Sequence, residues 1–558
     1  MIDKVGLIRP KLLDFIDIQS QKDKFLLASA TVVSGIINAL TLVILNTAAK
    51  DFDKPDLDER LFILFVLSVS LYLISKRYVT HRITELVQGG IFNYRGRILD
   101  LLRGLKLLSY EAIGKSQILS MLSEKTELIS QGAHRLAEGF PAMVMLICSF
   151  IYMATISKMA LAMALICIAG AMVTIYVLVQ SISISMQQAM AKDNEYFAYM
   201  QHVLDGFNEL KINREKVNDL YTNYMGEVSE EARQKNISTD ISNVNLQLYA
   251  QLYFYILMAS VVFLLPQLST LTADKIMSIT TIIFFIMGPI VLIIDMFPSL
   301  ARANVAIDYL QRLESQLQSA QEDVFSTQET FIAPHYFDRI LISQLYFSYP
   351  VEDQGRQFSV GPFDLSFARG ELIFIRGGNG SGKSTFLKLL TGLYESNSGA
   401  IVVDNKTIDS ELLGNYRNLF SIIFTDFHLF DRFYGQQNVN VEMVNEYLVL
   451  MGLEKKTGFK NGRFTHTNLS TGQKKRLALI IALLEDKAVY VFDEVAADQD
   501  PEFRQFFYDV ILQKLKQKQK TVIVVTHDEK YFNHCDRLLV MDMGQMREEK
   551  IKFKFRRD

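Results

Sequence analysis

The sequence predicts an all-α membrane domain of six helices, followed by an α/β nucleotide-binding domain of the P-loop class. Two observations carry this prediction. Apolar runs unbroken by charge are concentrated in the first ~300 residues, and runs of about twenty apolar residues match the hydrocarbon thickness of a bilayer. The C-terminal half then contains a glycine-rich phosphate-binding motif between a predicted strand and a predicted helix.

Six apolar runs each predict one transmembrane helix. Buried core helices of soluble proteins mimic one or two such runs, but six in succession favour a membrane domain. The runs cover residues 25–47, 61–78, 140–157, 159–181, 247–266 and 276–297.

Basic residues orient the predicted helices. By the positive-inside rule, the basic segments before the first span and after the second lie in the cytoplasm. The mainly acidic loop at residues 49–60 suits the outer side. Six spans return the chain to the cytoplasm, so we expect a multi-pass protein of the inner (plasma) membrane with a cytoplasmic N-terminus and nucleotide-binding domain. The basic residues are Lys4, Arg9, Lys11, Lys22 and Lys24 before the first span, and Lys76, Arg77, Arg82, Arg95 and Arg97 after the second.

The two cytoplasmic connections between spans are also predicted to be helical. Each is about 60 residues long and carries apolar residues at three- and four-residue spacing. Structureless loops of that length are unusual in a compact protein. We therefore expect continuous helices projecting ~35–45 Å into the cytoplasm, at 1.5 Å per residue.

The phosphate-binding motif is GGNGSGKST, which fills the template G-x-x-x-x-G-K-[ST]. Backbone N–H groups of such a loop, with the following helix N-terminus, form a positive concavity for phosphates. The lysine reaches the β- and γ-phosphates, and the serine offers its hydroxyl to Mg²⁺. A chance match in a structural loop is the alternative. The predicted nucleotide-binding residues are Gly377, Gly378, Asn379, Gly380, Ser381, Gly382, Lys383, Ser384 and Thr385.

Four further segments follow in a fixed order. They are LSTGQKKRLAL from Leu469, AVYVFDE ending in Asp493 and Glu494, AADQDP with Asp500, and VVTHDEKYF with His527. With the phosphate loop, this order resembles the Walker A, signature, Walker B, D-loop and switch histidine of the ATP-binding cassette (ABC) superfamily. The resemblance implies that the nucleotide is ATP and that the protein is an ATPase.

Charge chemistry assigns roles to the residues after the Walker B strand. Asp493 is placed to hold Mg²⁺, partly through its water shell. Glu494 is the candidate to orient or deprotonate the attacking water, and His527 to contact the γ-phosphate. A solvated strand end is the alternative for the two carboxylates.

Other roles are implied by the resemblance alone. Ser470, Gly472 and Gln473 of the signature would bind the ATP held by the other subunit, because signature and phosphate loop of one cassette cannot meet in this family. The active unit would then be a dimer, and a complete motif set on one chain favours a homodimer. Asp500 would couple the two sites. Tyr349 stands where an aromatic ring stacks on adenine, and an ordinary edge-strand tyrosine is the alternative.

The chain departs from the family pattern at two places. The family's Q-loop glutamine contacts Mg²⁺ or water and links flexibly to the membrane domain, but here Thr425 stands in its place. The adjacent Asp426 is a further candidate Mg²⁺ ligand. The second departure is a basic loop, FKNGRFTHTN, where many exporters carry an acidic one before the signature.

Three strings resemble one branch of the superfamily closely. TDFHLFD, NLSTGQKKRLAL and FDEVAADQDPEFR are similar to the bacterial cyclic-peptide and siderophore-peptide exporters, which are half transporters with a non-glutamine Q-loop position. This implies the type IV ABC exporter fold, with coupling helices near Tyr110–Gln117 and Asp205–Lys211. It also implies export of a cyclic peptide, siderophore-peptide or lipopeptide by alternating access. The alternatives are an exporter of lipids or hydrophobic drugs, and a membrane ATPase with a sensing or immunity role.

The predicted domains are a transmembrane domain at 1–310, a linker at 311–335 and an ATP-binding domain at 336–558. The net charge of −3 and the absence of a basic stripe argue against a nucleic-acid partner. The expected partners are a second copy, the lipid bilayer and a peptide cargo. Polar residues in the spans are candidates to face cargo, although helix–helix hydrogen bonds are an equal alternative. These are Asn38, Gln180, Gln247, Gln251 and Asp295.

Overall fold

The computed structural model describes Leu12, Phe15 and residues 21–50, 59–322, 337–350, 358–435 and 439–550. The chain divides into two compact units. The first, which we call the helical unit, comprises residues 1–100 and 114–316. The second, the cassette unit, comprises residues 101–113 and 317–558. Most of the acidic loop and of the basic N-terminal segment, and the linker from residue 323, lie outside the described residues.

Six helices in the described part of the chain are long and apolar enough to span a membrane. Each overlaps one predicted run, which confirms the six-helix fold. The third predicted run extended one residue too far, because Ser157 ends one helix and caps the next, accepting a 3.3 Å hydrogen bond from the amide of Ala160. The six segments are Phe25–Ala49, Glu59–Arg103, Lys115–Ile156, Lys158–Leu178, Arg214–Leu268 and Ala273–Ser319.

The helices continue well beyond the apolar runs, as the periodicity of the connections predicts. A helix of 48 residues is about 72 Å long at 1.5 Å per residue. Short π-helical turns interrupt two of the six segments, at Met121–Lys125 in the third and at Leu220–Met225 and Ser260–Leu264 in the fifth. The helices are α1 Gln21–Lys50, α2 Glu59–Arg103, α3 Leu107–Ile113, α4 Lys115–Ser120, α5 Thr126–Ile156, α6 Lys158–Asp205, α7 Phe207–Ile212, α8 Arg214–Asp219, α9 Gly226–Ala259, α10 Leu265–Leu268 and α11 Ala273–Ser319.

Two short helices lie where the resemblance implies coupling helices. The first, α3, begins three residues earlier than predicted and ends at Ile113, because Gly114 adopts a φ of +83° that favours glycine. The second, α7, covers most of the predicted interval 205–211. Helix α11 continues to Ser319, so the first residues assigned to the linker are helical.

Close packing and a few polar contacts join the spans of the helical unit. A Cβ added at Gly35 would lie 2.5 Å from Val144 Cβ, so α1 and α5 approach closely there. Thr41 Oγ1 hydrogen-bonds Ser68 Oγ at 3.1 Å, and Asn38 donates to the sulfur of Met145 at 2.9 Å. Asn38 therefore forms a contact between two helices, which was the alternative to a cargo contact.

Outward faces of these helices carry large exposed apolar side chains. Extended apolar surfaces of this kind mark contact with a membrane or a partner. Lipid acyl chains suit them, since they carry no polar group to satisfy. Examples are Phe62, Ile63, Ile74, Ile151, Ile166, Val173 and Phe263.

The cassette unit is built on two larger sheets, and β7 and β8 form a separate two-stranded sheet. An antiparallel sheet has the order β2-β1-β4-β5, and a six-stranded sheet has the order β12-β11-β3-β10-β9-β6, in which β12 alone is antiparallel. The strands are β1 Arg339–Ser348, β2 Ser359–Ala368, β3 Leu372–Gly377, β4 Ser398–Val403, β5 Lys406–Thr407, β6 Phe420–Ile423, β7 Phe459–Lys460, β8 Arg463–Phe464, β9 Val489–Asp493, β10 Thr521–Val525, β11 Arg537–Asp542 and β12 Gln545–Glu549. The helices are α12 Lys383–Leu390, α13 Leu413–Arg417, α14 Val441–Leu450, α15 Thr471–Glu485, α16 Pro501–Phe506 and α17 Leu512–Gln517.

The register of the parallel strands brings the predicted motifs to one sheet edge. Val525 pairs with both Asp493 and Ile375, so β3, β9 and β10 end at the same level. Their carboxyl ends lead into the phosphate loop, the Walker B carboxylates and His527. Because ligands bind outside the carboxyl ends of such strands, the sheet assembles the candidate site from three distant segments.

Candidate active site

The phosphate loop connects β3 to α12 and depends on glycine for its path. Gly380 and Gly382 have φ values of +75° and +105°. A Cβ on Gly377 would lie 2.3 Å from the carbonyl oxygen of Met541, so a side chain is excluded there. The Lys383 ammonium donates to the carbonyls of Gly377 and Gly378 at 2.8 and 3.1 Å.

Donor groups in this loop fit a phosphate. Ser381 Oγ is buried and makes no hydrogen bond to the described residues, although buried hydroxyls are normally paired. The loop opens onto the N-terminus of α12, where backbone N–H groups carry partial positive charge. An anion with several acceptor oxygens would accept hydrogen bonds from the Ser381 hydroxyl and from the N–H groups at the N-terminus of α12.

Ser384 and Asp493 form the side of the site suited to a metal ion. Ser384 Oγ lies 3.2 Å from Asp493 Oδ2. Asp493 is buried, and burial raises the pKa of its carboxyl, while hydrogen bonds from Thr425 and Ser384 oppose that rise. Thr425, in the Q-loop position, thus donates to the Walker B aspartate.

An oxygen-only donor set fits Mg²⁺, which retains several waters and takes further ligands from substrate phosphates. In the described part of the chain, no three His, Cys, Asp or Glu side chains cluster as metal ligands. Asp493 and Ser384 supply the two side-chain oxygens that would hold such an ion. Asp426, the further predicted ligand, is solvent-exposed.

Glu494 stands in a constrained backbone conformation next to Asp493. Its φ is +52°, a left-handed value that costs a non-glycine residue about 1–3 kcal/mol. Its amide donates to the Val525 carbonyl at 3.1 Å. One carboxylate oxygen lies 3.3 Å from His527 Nε2, so the structure joins the predicted base to the predicted switch histidine.

A buried lysine that the sequence analysis did not single out supports this turn. Lys475 on α15 is only 3% exposed. Its ammonium donates to the Glu494 carbonyl oxygen at 2.9 Å and to Asp498 Oδ2 at 2.6 Å. The signal in the sequence that could have identified Lys475 is its spacing: it lies one helical turn before Leu479, on the buried face of α15. Because an unpaired charge there would be costly, both contacts matter for the turn's stability.

The signature residues begin α15. Ser470 and Gln473 form a reciprocal capping box, with the Gln473 amide donating to Ser470 Oγ at 3.4 Å. A Cβ on Gly472 would lie 2.7 Å from the Asp498 carbonyl, and the Gly472 carbonyl accepts a 3.0 Å hydrogen bond from Gln499. These contacts join the signature to the D-loop, and none of them reaches the phosphate loop of the same chain.

Asp500 caps α16 by accepting from the Phe503 amide at 2.8 Å, and it pairs with Arg476 of α15. The backbone donor, with Arg476, lowers the pKa of the Asp500 carboxyl. The D-loop is thereby tied to the signature helix.

Tyr349 follows β1 beside the phosphate loop. Its hydroxyl lies 3.1 Å from Thr385 Oγ1, and its ring packs edge-on against Phe347 and Tyr394. The structure therefore brings the predicted adenine-stacking residue next to α12. Its stacking role, like the other residue roles in this site, stays a prediction.

Comparisons with known proteins follow the same division of the chain. Residues 360–497 match the family described as ABC transporter. The chain is 32% identical over 354 residues to "ATP-binding protein SyrD" of Pseudomonas syringae pv. syringae, a match that spans 62% of each chain. It is 33% identical over 219 residues to "Energy-coupling factor transporter ATP-binding protein EcfA1" of Mycoplasma pneumoniae, covering 36% of this chain and 75% of that protein.

The whole fold also has a counterpart among solved structures. "Structure of a bacterial Atm1-family ABC exporter with ATP bound" superposes with a TM-score of 0.74, covering 95% of both chains at 16% identity. At that identity the likeness concerns the fold alone. It agrees with six apolar helices followed by a P-loop domain.

Proposed function

The chain belongs to the ABC transporter family, and we propose that it is an ATP-hydrolysing exporter that moves peptides out across the cytoplasmic membrane as a homodimer. The observation that carries the proposal is the assembly of the phosphate loop, Asp493, Glu494 and His527 at one sheet edge of a chain with six spans. Because the match to SyrD spans only 62% of each chain, the cargo and the partners of this chain are part of the proposal.

In the proposed reaction, Lys383 and the loop amides bind the β- and γ-phosphates of ATP. Ser384 and Asp493 hold Mg²⁺, which when bound neutralises charge on the phosphate oxygens. Glu494 orients the attacking water and accepts its proton. His527, which is half exposed and within 3.3 Å of Glu494, contacts the γ-phosphate.

The placement of the signature supports the proposed dimer. Ser470, Gly472 and Gln473 contact the D-loop rather than the phosphate loop of their own chain. For the signature to touch an ATP, a second copy supplies the phosphate loop. ATP binding would then close two cassettes over two nucleotides, and hydrolysis would release them.

A peptide with an apolar portion suits the helical unit. A cavity of about 490 Å³ lies among α5, α6, α9 and α11, with walls that are almost entirely apolar. A smaller cavity shares Phe254 and Ile290 with its wall and is also lined by Gln247 and Gln251. Gln247 donates to Asp295 at 3.3 Å, which supplies polar groups beside the apolar space. An amphipathic cargo such as a lipopeptide matches both environments.

The proposal is tested by ATPase activity in lipid nanodiscs, comparing the wild type with Glu494→Gln. Loss of a general base typically costs about 10²–10⁴-fold, so turnover should disappear while ATP binding remains. Addition of a cyclic lipopeptide should stimulate the wild type only. Turnover of Glu494→Gln near the wild-type rate would remove Glu494 from its role. Stimulation by phospholipid or hydrophobic drugs, with none by peptides, would favour the lipid and drug exporter instead.

A further inference from the structure

The first cytoplasmic connection docks onto the cassette through a hydrogen-bonded carboxylate, that of Glu111. Residues 101–113, including α3, belong to the same compact unit as the cassette. Tyr394 donates to one oxygen of Glu111 at 2.6 Å, and Lys388 donates to the other at 2.7 Å. Leu107 and Leu108 of α3 pack against the core of the cassette. Both Glu111 oxygens are thus held by side chains of the cassette.

Tyr394 carries this contact inward. It is 4% exposed, its ring stacks on Phe347 with centroids 5.1 Å apart, and its hydroxyl hydrogen-bonds Tyr349. Burial and the Glu111 hydrogen bond raise the pKa of Tyr394 above its usual range, so the hydroxyl keeps its proton. Because that proton goes to Glu111, Tyr394 can only accept from Tyr349.

Tyr349 completes the path to the phosphate loop. Its hydroxyl donates to Tyr394 and therefore accepts from Thr385 Oγ1, 3.1 Å away. Thr385 is buried in the first turn of α12 and directly follows Ser384, which pairs with Asp493. The three hydroxyls of Thr385, Tyr349 and Tyr394 consequently donate in one direction, toward the Glu111 carboxylate, which accepts. Such aligned chains of hydrogen bonds strengthen one another.

We propose that Glu111, Tyr394, Tyr349 and Thr385 form a relay through which the first cytoplasmic connection positions the ATP-binding residues. The inference rests on the proposed function in taking Tyr349 and Thr385 as ATP-contacting residues. When α3 is docked, the relay holds the Tyr349 ring and the Thr385 hydroxyl in place; when α3 shifts, both are released. Glu111 and Tyr394 are positioning residues, since they act through Tyr349.

The relay gives the chain a connection that does not pass through the Q-loop position. Thr425 occupies that position, and its hydroxyl is engaged by Asp493 inside the site. The tyrosine path instead runs from α3 to Tyr394, then to Tyr349 after β1 and to Thr385 in α12.

The test measures affinity for the fluorescent nucleotide TNP-ATP on the full-length chain in nanodiscs, in a Glu494→Gln background. Tyr394→Phe keeps the stacked ring and removes the hydroxyl; Glu111→Gln keeps the shape and removes the charge. Loss of one such bond corresponds to about three- to tenfold weaker binding. The matched control is Lys106→Gln, which removes the neighbouring ion pair of the same segment with Glu395 but leaves the relay intact.

Without the Glu494 substitution, the same variants should raise the KM for ATP by a similar factor and change kcat less than about twofold. A merely structural role would lower kcat and thermal stability together. Wild-type nucleotide affinity in Tyr394→Phe, or equal losses in Lys106→Gln, would overturn the relay. If Tyr394→Phe does not fold, the nucleotide affinity of Glu111→Gln tests the relay, because Glu111 is more exposed than Tyr394. Absence of peptide stimulation in the wild type would overturn the proposed cargo instead, because nucleotide affinity requires neither turnover nor cargo.

Discussion

The buried ammonium of Lys475 donates a 2.9 Å hydrogen bond to the backbone carbonyl of Glu494. This bond holds the residue whose side chain is predicted to activate water, at a backbone φ of +52° that is uncommon for a residue other than glycine. Since Lys475 begins the second turn of the signature helix, this hydrogen bond connects the signature helix directly to the backbone of the candidate base.

Replacing Lys475 by methionine should therefore lower turnover while leaving ATP affinity close to the wild type. A charge-assisted hydrogen bond contributes about 1.5–3 kcal/mol, which corresponds to roughly a tenfold or greater loss of kcat. The measurement is steady-state ATPase with a parallel TNP-ATP titration. The control is Lys514→Met on an exposed face of α17. Unchanged kcat in Lys475→Met would show that Glu494 holds its conformation without the lysine.

Substitution of Thr425 should change the pH dependence of the ATPase. Burial raises the pKa of Asp493, and the Thr425 hydroxyl holds it down. Thr425→Val removes that hydroxyl, so the pKa rises further. Because Mg²⁺ requires the ionised carboxylate, the acidic limb of the pH–rate profile should move to higher pH.

Thr425→Ser keeps the hydroxyl and should keep the wild-type profile. Thr425→Gln should retain substantial ATPase activity if the position tolerates the common family residue. A dead Thr425→Gln enzyme would show that the geometry here depends on the threonine and Asp426. Identical profiles for the valine and serine variants would remove Thr425 from the control of Asp493.

The sequence predicted the features that are contiguous or periodic. Six apolar runs define spans because the bilayer requires about twenty apolar residues in a row, whatever their packing. The phosphate loop is local as well, since its glycines and Lys383 are neighbours in the chain. Asp493, Glu494 and His527 were identified from the order of the motifs. That order is enough because β9 and β10 are parallel and end at the same level, which brings the residues after these strands together.

Contacts between distant segments were beyond prediction. Lys475 meets Asp498 across 23 residues, and Glu111 meets Tyr394 across 283. Neither pair has a sequence pattern, because both depend on how α15 and α3 pack against the sheets. The end of α3 at Ile113 was missed for another reason, since a single Gly114 is compatible with a helix as well as a turn.

Asp500→Ala should destabilise the cassette by about 1 kcal/mol, the usual effect of removing an N-cap. The lowered pKa of Asp500 means that its stabilisation is complete above about pH 3.9, the value for an unfolded aspartate, and is lost as pH falls through the folded value. Thermal unfolding at neutral pH measures the effect. Asp500→Asn keeps the cap and is the control. If the asparagine variant is as stable as the wild type yet loses ATPase activity, the carboxylate also serves catalysis, as the resemblance implies.

Filling the apolar cavity should weaken stimulation by cargo. Ala171 lines the cavity on α6, and phenylalanine at that position would occupy space beside Ile175 and Phe254. We expect Ala171→Phe to lower the ratio of lipopeptide-stimulated to basal ATPase, and to raise the lipopeptide concentration needed for half stimulation. Val173→Phe is the matched control, since Val173 is on the same helix but 66% exposed. If both variants are stimulated as strongly as the wild type, the cargo binds outside this cavity. If both lose stimulation to the same extent, the substitutions cause a general defect of α6.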